Sequence, residues 1–461
     1  MHRDALDLPF PSMRADPPAD LAVAGMLAGA EGPQQLADRI AAVNRELARW
    51  DSNGGLAEWQ AGPGLDPRAA AALKDYLAGC LALPAWAEPE RIARAEALFM
   101  DMSMLSCTLL FCASLPECYV LPDLSAVLHA AGQLEAHTDY RVRSTAAMIF
   151  PVMLACGLTT GKGAGVAQAL KVRLIHATIR HLILRGSPED SLGAGPVRPL
   201  LPAGGGIYHT LYAHGWDSAR NGLPCNQEEL AYTLLTFHYV FLRSLRKLGL
   251  DLERQDEEDY LHAWNVLGHM LGIERALMPD TMEQAQQAFA EIQARGREFV
   301  RKPDPRPALA AALMGAMEDE IPLRVFKPIP TLLTRHLCGR DASADLGLNK
   351  RQPLLSRLVF SGGLALVRAI DAVVRLVVPG FSISRMLTRA FGYRLVTRFL
   401  MDQTRPLRLP DALLGQVREA LGQWRHDPRA PRWLNRIEAK LAGHAAATAA
   451  GADADTHKRA A

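Results

Sequence analysis

The sequence predicts an almost wholly α-helical fold in one large domain. Apolar residues recur three and four positions apart, as in residues 34–49, where Leu36, Ile40, Val43 and Leu47 share one helix face. Alternating runs of β-branched residues, which are typical of half-buried strands, are scarce. Hydrophobic residues make up 49% of the 461 residues, which is enough to fill one large core.

Predicted helices follow one another along most of the chain. They cover residues 34–49, 90–113, 123–131, 139–156, 164–185, 226–248, 256–272 and 280–296. Asn226 is expected to cap its helix, and Glu228 and Glu229 stabilise the positive end of the same helix. Gly249 is expected to close that helix, because glycine readily adopts the left-handed conformation found after a helix end.

Proline and composition divide the chain into four predicted parts. Residues 1–32 are rich in Pro, Ala and Asp and are predicted to be loosely ordered, and residues 33–302 form the helical core. Three prolines at 303, 305 and 307 precede a C-terminal helical part, residues 303–440, which is predicted to pack on the core. Residues 441–461 are Ala-rich and polar and are predicted to be a flexible tail.

The overall composition excludes several classes of protein. Charged residues make up 22% and the formal net charge is +2, so nothing indicates a nucleic-acid-binding protein. The seven cysteines form no CxxC motif and several lie in apolar runs, which favours small core residues in a reducing compartment. The N-terminal residues show no secretory signal, and no uncharged apolar run reaches about 20 residues, so we expect a cytoplasmic protein.

The segment KVRLIHATIRHLIL carries an unusual set of polar side chains on an apolar helix. On a helix, Arg173, His176 and Arg180 share one narrow stripe, and His181 lies about a quarter-turn away. Apolar residues occupy most of the remaining circumference, so the helix should be buried and these polar groups need partners.

Two interpretations of this stripe remain open. In the first, the arginines pair with buried carboxylates and the histidines bond to backbone carbonyls. In the second, the helix binds haem, whose propionates need Arg or Lys and whose iron takes a histidine. A zinc site fits less well, because no HExxH motif or Cys/His cluster with metal spacing is present.

Two further segments bear on this site. HTDYRVRSTAAMIF places Arg141 and Thr145 on one helix face, four residues apart, although a solvated start of a basic helix would have the same pattern. GLTTGKGAG looks like a phosphate-binding loop, but it lacks the required spacing and no strand precedes it. We therefore predict a flexible turn there.

The pattern R-x-x-H-x-x-x-R-H in this helix resembles that of the latex-clearing proteins. These are haem b rubber oxygenases, related to the membrane-bound oxygenase of the mycophenolic acid pathway, the MpaB family. Three more segments resemble the same proteins: GLPCNQEELAYTLLTFHYVFLRSLRKLGL, YLHAWNVLGHMLGI and RHLCGRDASADLGL. The resemblance extends from about residue 90 to residue 425.

The resemblance implies a haem b cofactor and names its ligands. His176 would be the proximal iron ligand, and Arg173, Arg180 and His181 would hold the haem or its surroundings. With the helical pattern, it leads us to expect a globin-like helical core with additional helices. If haem binds, the second ring nitrogen of His176 should find a hydrogen-bond acceptor that fixes its tautomer.

The resemblance also implies residues on the opposite, distal side of the haem. Arg141 and Thr145 match an Arg-x-x-Lys-Thr pattern in which Ser144 stands here in place of the lysine. That lysine can occupy the second axial position in a closed state, so its replacement predicts an open or differently gated site. Glu117, in SLPECY, is our candidate for a distal catalytic base, the alternative being an ordinary loop carboxylate.

The family implies an oxidoreductase, a dioxygenase that cleaves C=C bonds and gives carbonyl products. We predict a haem-dependent oxygenase that uses dioxygen on an isoprenoid or other unsaturated lipid-like substrate. The missing export signal argues against an external rubber polymer. The alternative is a non-catalytic helical protein that binds a lipid or a partner; Ser144 favours it, whereas His176 and both flanking arginines favour the oxygenase.

The remaining histidines and Trp264 lie outside the resemblance-based site. Trp264, His262, His269 and His238 are predicted to be packing residues, and His209 and His214 lie in a Gly-rich loop and could gate the site.

Residues 357–380 form an amphipathic helix with Arg368, Asp371 and Arg375 on one face. It is predicted to be either a core helix with a solvated stripe or an interfacial helix resting on the inner membrane.

Overall fold

The chain folds into packed α-helices. The computed structural model describes residues 10–130, 138–191, 193–202, 204, 206–298, 300, 302–319, 321 and 323–377. In these residues the sole strand-like pairing is one antiparallel bridge between Val197 and Trp216. The predicted all-α fold is therefore confirmed.

The helices are numbered in chain order. The first ten are α1 (Pro17–Leu27), α2 (Gly32–Leu47), α3 (Asn53–Ala57), α4 (Pro67–Cys80), α5 (Pro89–Leu109), α6 (Leu115–Cys118), α7 (Pro122–Ala130), α8 (Thr138–Met153), α9 (Gly165–Leu184) and α10 (Pro188–Ser191). They are followed by α11 (Ile207–Ala213), α12 (Ser218–Asn221), α13 (Gln227–Phe237), α14 (Tyr239–Lys247), α15 (Arg254–Met270), α16 (Met282–Glu298), α17 (Arg306–Asp319), α18 (Ile329–Cys338), α19 (Arg340–Asp345) and α20 (Leu354–Val377). Two 3₁₀ turns, Pro11–Met13 and Arg275–Leu277, and a π-helical turn, Leu110–Ser114, complete the set.

The core lies where α5, α9, α13 and α15 meet. α15 packs along α5, and α9 packs against α1 and α8. Aromatic rings stack between the central helices: Phe241 lies 4.8 Å from Tyr260, and Phe237 lies 5.6 Å from Trp264, measured between ring centroids. These contacts hold α13 and α14 against α15 and so fix the walls of the site described below.

The sequence signals at the helix ends correspond to the observed ends, with one interruption. The Asn226 side-chain oxygen accepts a hydrogen bond from the Glu229 backbone N–H at 2.9 Å, which confirms the predicted cap. Gly249 has φ +78°, the left-handed conformation expected of it. The single helix predicted over 226–248 is broken at His238, whose φ and ψ of −108° and −59° separate α13 from α14.

The prediction that residues 1–32 are loosely ordered is wrong from residue 10 onward. Residues 17–27 form α1, in which Ala19 and Val23 are fully buried. The two prolines that suggested disorder occupy the first helical turn, where no backbone N–H is needed. A Cβ on Gly25 would lie 2.8 Å from the Cβ of Ala72, so glycine allows α1 to approach α4 closely.

The described part of the predicted C-terminal region packs on the core. α17 contacts α7 and α8, and α18 contacts the π-helical turn. The buried guanidinium of Arg306 donates to the backbone oxygen of Val120 at 3.1 Å and pairs with Asp304. The boundary at residue 303 stays a prediction, and the predicted stretch 378–440 and tail 441–461 lie outside the described residues.

The cysteines are all free thiols, and all but Cys156 are buried, as predicted for small core residues. Across the described ranges, no single helix is both long and apolar enough to cross a membrane. One pair, residues 89–102 and 105–118, would pass on length and composition but is bent by 89°.

Candidate functional site

A cavity of about 340 Å³ lies between α9, α13 and α15, with α6, α7 and α8 completing its wall. Its apolar lining residues are Leu115, Leu124, Val127, Met148, Val172, Ile175, Ile179, Leu230, Leu234, Phe237, Trp264, Leu267, Leu271 and Ile273. Its other lining residues are Cys118, Thr145, His176, Cys225, Glu229 and Thr233. An apolar cavity of this volume with a few convergent polar groups is typical of a site for a small molecule or cofactor.

His176 lines this cavity from the middle of α9. Burial, together with the positive charge of Arg180, lowers the pKa of its imidazole to about 4. The ring is therefore neutral at ordinary pH, the form in which histidine binds a metal. We expected a hydrogen-bond acceptor for the ring nitrogen that does not bind metal. No described residue bonds to Nδ1, which is buried, so packing orients the ring.

Arg173, one turn before His176, pairs with a carboxylate of the N-terminal segment. Its Nε and Nη2 donate to the two oxygens of Asp16 at 2.6 and 2.7 Å, a bidentate pair. Asp16 is 3% exposed and the arginine 8% exposed. Arg173 also lies 5.9 Å from the ring centroid of Tyr76.

Arg180, one turn after His176, is fully buried and has three partners. Its guanidinium pairs with Asp20 and donates to the backbone oxygens of Pro224 at 2.9 Å and Cys225 at 2.5 Å. Both arginines thus have the buried carboxylate partners of our first interpretation. Neither lines the cavity, and the described lining residues include no Arg or Lys.

The structure brings together only part of the predicted distal side. Thr145 lines the same cavity as His176, as the resemblance implied. Arg141 and Ser144 belong to the same helix, α8, but their side chains lie outside the described part of the chain.

The structure argues against Glu117 as the distal base. Glu117 is 1% exposed and lies in α6, not in an exposed loop. One carboxylate oxygen accepts from Arg243 at 2.6 Å and the other accepts from Gln293 at 2.9 Å. Because both oxygens are engaged and the residue does not line the cavity, its role is to hold α6, α14 and α16 together.

Glu229 is the cavity carboxylate that sequence reasoning missed as a site residue. It is 3% exposed and lines the cavity from the first turn of α13. The sequence signal was present in the run NQEE, which we interpreted only as a helix start. The helical period from Glu229 through Thr233 to Phe237, all cavity residues, could have placed it on the inner face.

Of the histidines and the tryptophan named in the sequence analysis, Trp264 and His176 line the cavity and the others do not. His181 is not a lining residue, and its backbone oxygen accepts from Gly186 at the end of α9. His262 accepts from the backbone N–H of Glu88 at 3.0 Å, as expected for a packing residue.

His269 and His262 both lie edge-on to Trp86, a further packing contact. His209 is buried, and His214 lines a separate surface pocket of about 680 Å³. His238 is fully buried, in agreement with the packing role predicted for it.

The donor set fits a cofactor that needs one histidine. Within the described ranges, no three His, Cys, Asp or Glu side chains cluster in a way that could hold a bare metal ion. A haem iron needs only one such ligand, because the porphyrin supplies the other nitrogens. His176 offers that one ligand, because its imidazole is neutral and lines the apolar cavity.

Comparisons with known proteins match the chain to oxygenases. The family model described as "ER-bound oxygenase mpaB/B'/Rubber oxygenase, catalytic domain" matches residues 120–369. A rubber oxygenase of Streptomyces sp. (strain K30) is 24% identical over 351 residues, which cover 73% of this chain and 75% of that protein. The solved structure of a latex-clearing protein, LCP, in the closed state covers 90% of both chains with a TM-score of 0.57 and 19% identity, a likeness of fold.

Proposed function

The chain belongs to the family of ER-bound and rubber oxygenase catalytic domains and is an oxygenase, and on that premise we propose that it uses haem b bound by His176. The observation that carries the proposal is the neutral His176 at the wall of an apolar cavity. The haem, when bound, would supply the activation of dioxygen.

We propose that the substrate is an unsaturated, apolar chain such as an isoprenoid. The cavity wall is largely aliphatic and aromatic, with ring surface from Phe237 and Trp264. Such a wall excludes water and binds a hydrocarbon chain through hydrophobic contacts, which do not depend on a precise orientation. The name of the Streptomyces relative, rubber oxygenase, points to the same substrate class.

Within this cavity, the chain's own polar groups would orient the substrate and handle protons. The Thr145 hydroxyl can donate to or accept from an oxygen of the substrate. Glu229 can hold or accept a proton, the role that we first gave to Glu117. Cys225 is kept as a neutral thiol, because burial raises its pKa to about 12.

Absorption spectroscopy of the purified protein tests the cofactor. We expect a Soret band with one haem per chain. A colourless protein after expression with added haem precursor would favour the alternative, a helical protein that binds lipid without chemistry. The proposal that haem b is bound would then fail.

Product analysis tests the substrate class. The haem-loaded protein is incubated with ¹⁸O-labelled dioxygen and a short polyprenyl chain, and carbonyl products are sought by mass spectrometry. The saturated analogue of the same length is the matched control, because it fills the cavity equally but has no C=C bond. Equal turnover of the two, or none of either, would contradict an alkene-directed oxygenase.

A further inference from the structure

We propose that Asp16 and Asp20 are positioning residues of the cavity, acting through Arg173 and Arg180. Both aspartates precede residue 120, where the family match begins. They would hold the helix that carries His176 in a fixed rotation relative to the loop that carries Cys225. The proposal deepens the proposed function, since it concerns the setting of the same histidine.

Two ion pairs flank His176 on its own helix. Arg173 lies three residues before it and Arg180 four residues after it, so all three side chains leave α9 from one narrow stripe. The pairs with Asp16 and Asp20 tie both ends of that stripe to the start of α1. Two anchors on one stripe resist rotation of α9 about its axis, which is the motion that would swing His176 away from the cavity.

Arg180 also binds the segment before α13, which forms another part of the cavity wall. It donates to the backbone oxygens of Pro224 and Cys225 while pairing with Asp20. Cys225 has φ +53°, a left-handed conformation that costs free energy for a residue with a side chain. The arginine bonds help to retain that conformation, and Cys225 lines the cavity just before the cap of α13.

The backbone of the N-terminal segment reinforces the same connection. The N–H groups of Leu223 and Gln227 donate to the backbone oxygens of Ser12 at 2.8 Å and Arg14 at 3.0 Å. The Gln227 side chain bridges Ala15 to the turn after α15, accepting from the backbone of that turn at 2.9 Å. Residues 12–20 therefore contact α9, the start of α13 and the turn after α15. These three helices form the main walls of the cavity.

Gly272 shows how closely these groups are packed. It has φ +85°, and a Cβ at this position would lie 2.2 Å from Oδ2 of Asp16 and 2.7 Å from Nε of Arg173. Any other residue would push the ion pair apart. Gly272→Ala therefore disturbs the Asp16–Arg173 pair without changing a charge.

The test compares Asp16→Asn, Asp20→Asn and Gly272→Ala with Asp38→Asn, an exposed aspartate on the neighbouring α2. Hydrogen exchange is measured on the full chain over residues 168–184 and 222–231. We expect the three test variants to speed exchange in both segments at least about tenfold, as for local opening of a clamped region, and the control to match the wild type. This readout does not depend on haem.

In the haem-loaded protein, the iron–histidine stretching band in resonance Raman spectra reports the orientation of His176. We expect it to shift or broaden in the test variants, with haem affinity about 10–100-fold weaker, as for loss of a group that orients a metal ligand. Asp20→Glu keeps the charge and should restore part of both signals. If the variants exchange and bind haem as the wild type does, the positioning role is wrong.

Failure of the proposed function would look different. A wild type without haem would refute the cofactor, whereas the exchange arm would still decide whether the aspartates hold α9 and the Cys225 loop. Where Asp16→Asn fails to fold, Gly272→Ala tests the same ion pair. If unfolding prevents measurement of both, the Asp20 variants decide: faster exchange in Asp20→Asn with partial restoration in Asp20→Glu supports the positioning role, and wild-type exchange in Asp20→Asn overturns it.

Discussion

His176 is the residue on which the chemistry depends most directly. We expect His176→Ala to abolish stoichiometric haem binding while leaving a folded helical chain, because the change removes the neutral imidazole and leaves the apolar wall intact. The Soret absorbance per mole of chain and the far-ultraviolet circular dichroism measure the two effects. His181→Ala is the matched control: it lies on the same helix but outside the cavity. Full haem retention by His176→Ala would assign the iron to another ligand.

The role of Glu229 can be tested against that of its neighbour Glu228, which lies outside the cavity. Glu229→Gln keeps the shape of the side chain and removes its proton-accepting charge, so we expect turnover to fall about 10²–10⁴-fold with little loss of haem. Glu228→Gln changes the neighbouring carboxylate, which pairs with Arg295 at 3.3 Å outside the cavity, and should keep near-normal turnover. Steady-state rates of oxygen consumption measure both. A larger effect at Glu117 than at Glu229, without loss of stability, would reverse the assignment.

The polar residues of α9 could be identified from the sequence, but their ion-pair partners could not. The stripe of Arg173, His176 and Arg180 was visible from helical periodicity alone. The carboxylates that pair with the arginines were not, because Asp16 and Asp20 lie about 160 residues earlier in a segment interpreted as loosely ordered. Long-range pairs leave no periodic trace in the sequence.

At the scale of elements, α5 and the Gly-rich turn before α9 form a pH-sensitive pair. Glu96 of α5 is 3% exposed and accepts from the backbone N–H groups of Cys156 at 2.8 Å and Gly157 at 3.2 Å. Burial raises the pKa of its carboxyl to about 7, although both bonds act to lower it. The folded chain therefore binds this proton more tightly than the unfolded chain does.

Because the pKa of Glu96 is higher in the folded chain than in the unfolded chain, the stability of the protein falls as the pH rises. The Glu96 contribution to the free energy of unfolding is fully present below about pH 4.5 and is lost as the pH rises to about 7, by roughly 3 kcal/mol in total. We expect the stability of the wild type relative to Glu96→Gln to fall over that interval. Denaturant unfolding from pH 5 to 8 measures it, with the exposed Glu90→Gln of the same helix as control. A constant difference across the interval would contradict the prediction.

Helix positions were predictable, whereas the breaks within helices were not. Asn226 and Gly249 gave local signals that the structure confirms. The interruption at His238 and the π-helical turn at residues 110–114 occur inside continuous apolar periodicity. They arise from packing against other helices, because tertiary contacts override local propensity. The turn GLTTGKGAG, predicted to be flexible, is likewise held by bonds from Glu96 and Asn53.

At the scale of the whole molecule, α20 presents an unusual surface. Leu354, Leu355, Leu358 and Leu366 are 60–73% exposed with respect to the described residues, and they lie on one side of the helix. An apolar face that the described residues leave exposed favours the interfacial interpretation, and we propose that α20 rests on the inner membrane and admits an apolar substrate from it. Arg368, at the edge of this face, is exposed. It donates a hydrogen bond to the backbone oxygen of Lys247, and its positive charge can still attract anionic headgroups.

Vesicle co-sedimentation tests this surface. We expect the chain to bind vesicles that contain anionic lipid. A variant with Glu at positions 354, 358 and 366 should bind at least about tenfold less, because moving leucine side chains from water into the bilayer is favourable and moving glutamate side chains is not. Leu201→Glu is the control, since Leu201 is 93% exposed elsewhere. Absence of wild-type binding would remove the membrane proposal. A change of oligomeric state in the variant would instead assign the face to a second copy.

The global fold was predictable because helical periodicity and composition are distributed over the whole sequence. The cavity was only partly predictable, since its walls come from α6, α7, α8, α9, α13 and α15. A helix wheel gives the inner face of each helix, but which faces meet depends on the three-dimensional arrangement. Thr145 and His176 line one cavity, as the resemblance implied, whereas Glu229 was recognised as a cavity residue only in the structure.

The connection between α1 and α9 also sets an order of events during synthesis. Asp16 and Asp20 emerge 157 and 160 residues before their arginine partners, which corresponds to roughly 8–30 s of translation. In that interval α1 can already pack on α2 and α4, which both precede α9 in the chain. The two uncompensated carboxylates then give these early helices a negative charge that opposes their self-association. The same side chains that later anchor α9 thus add negative charge to the N-terminal helices until their arginine partners have been made.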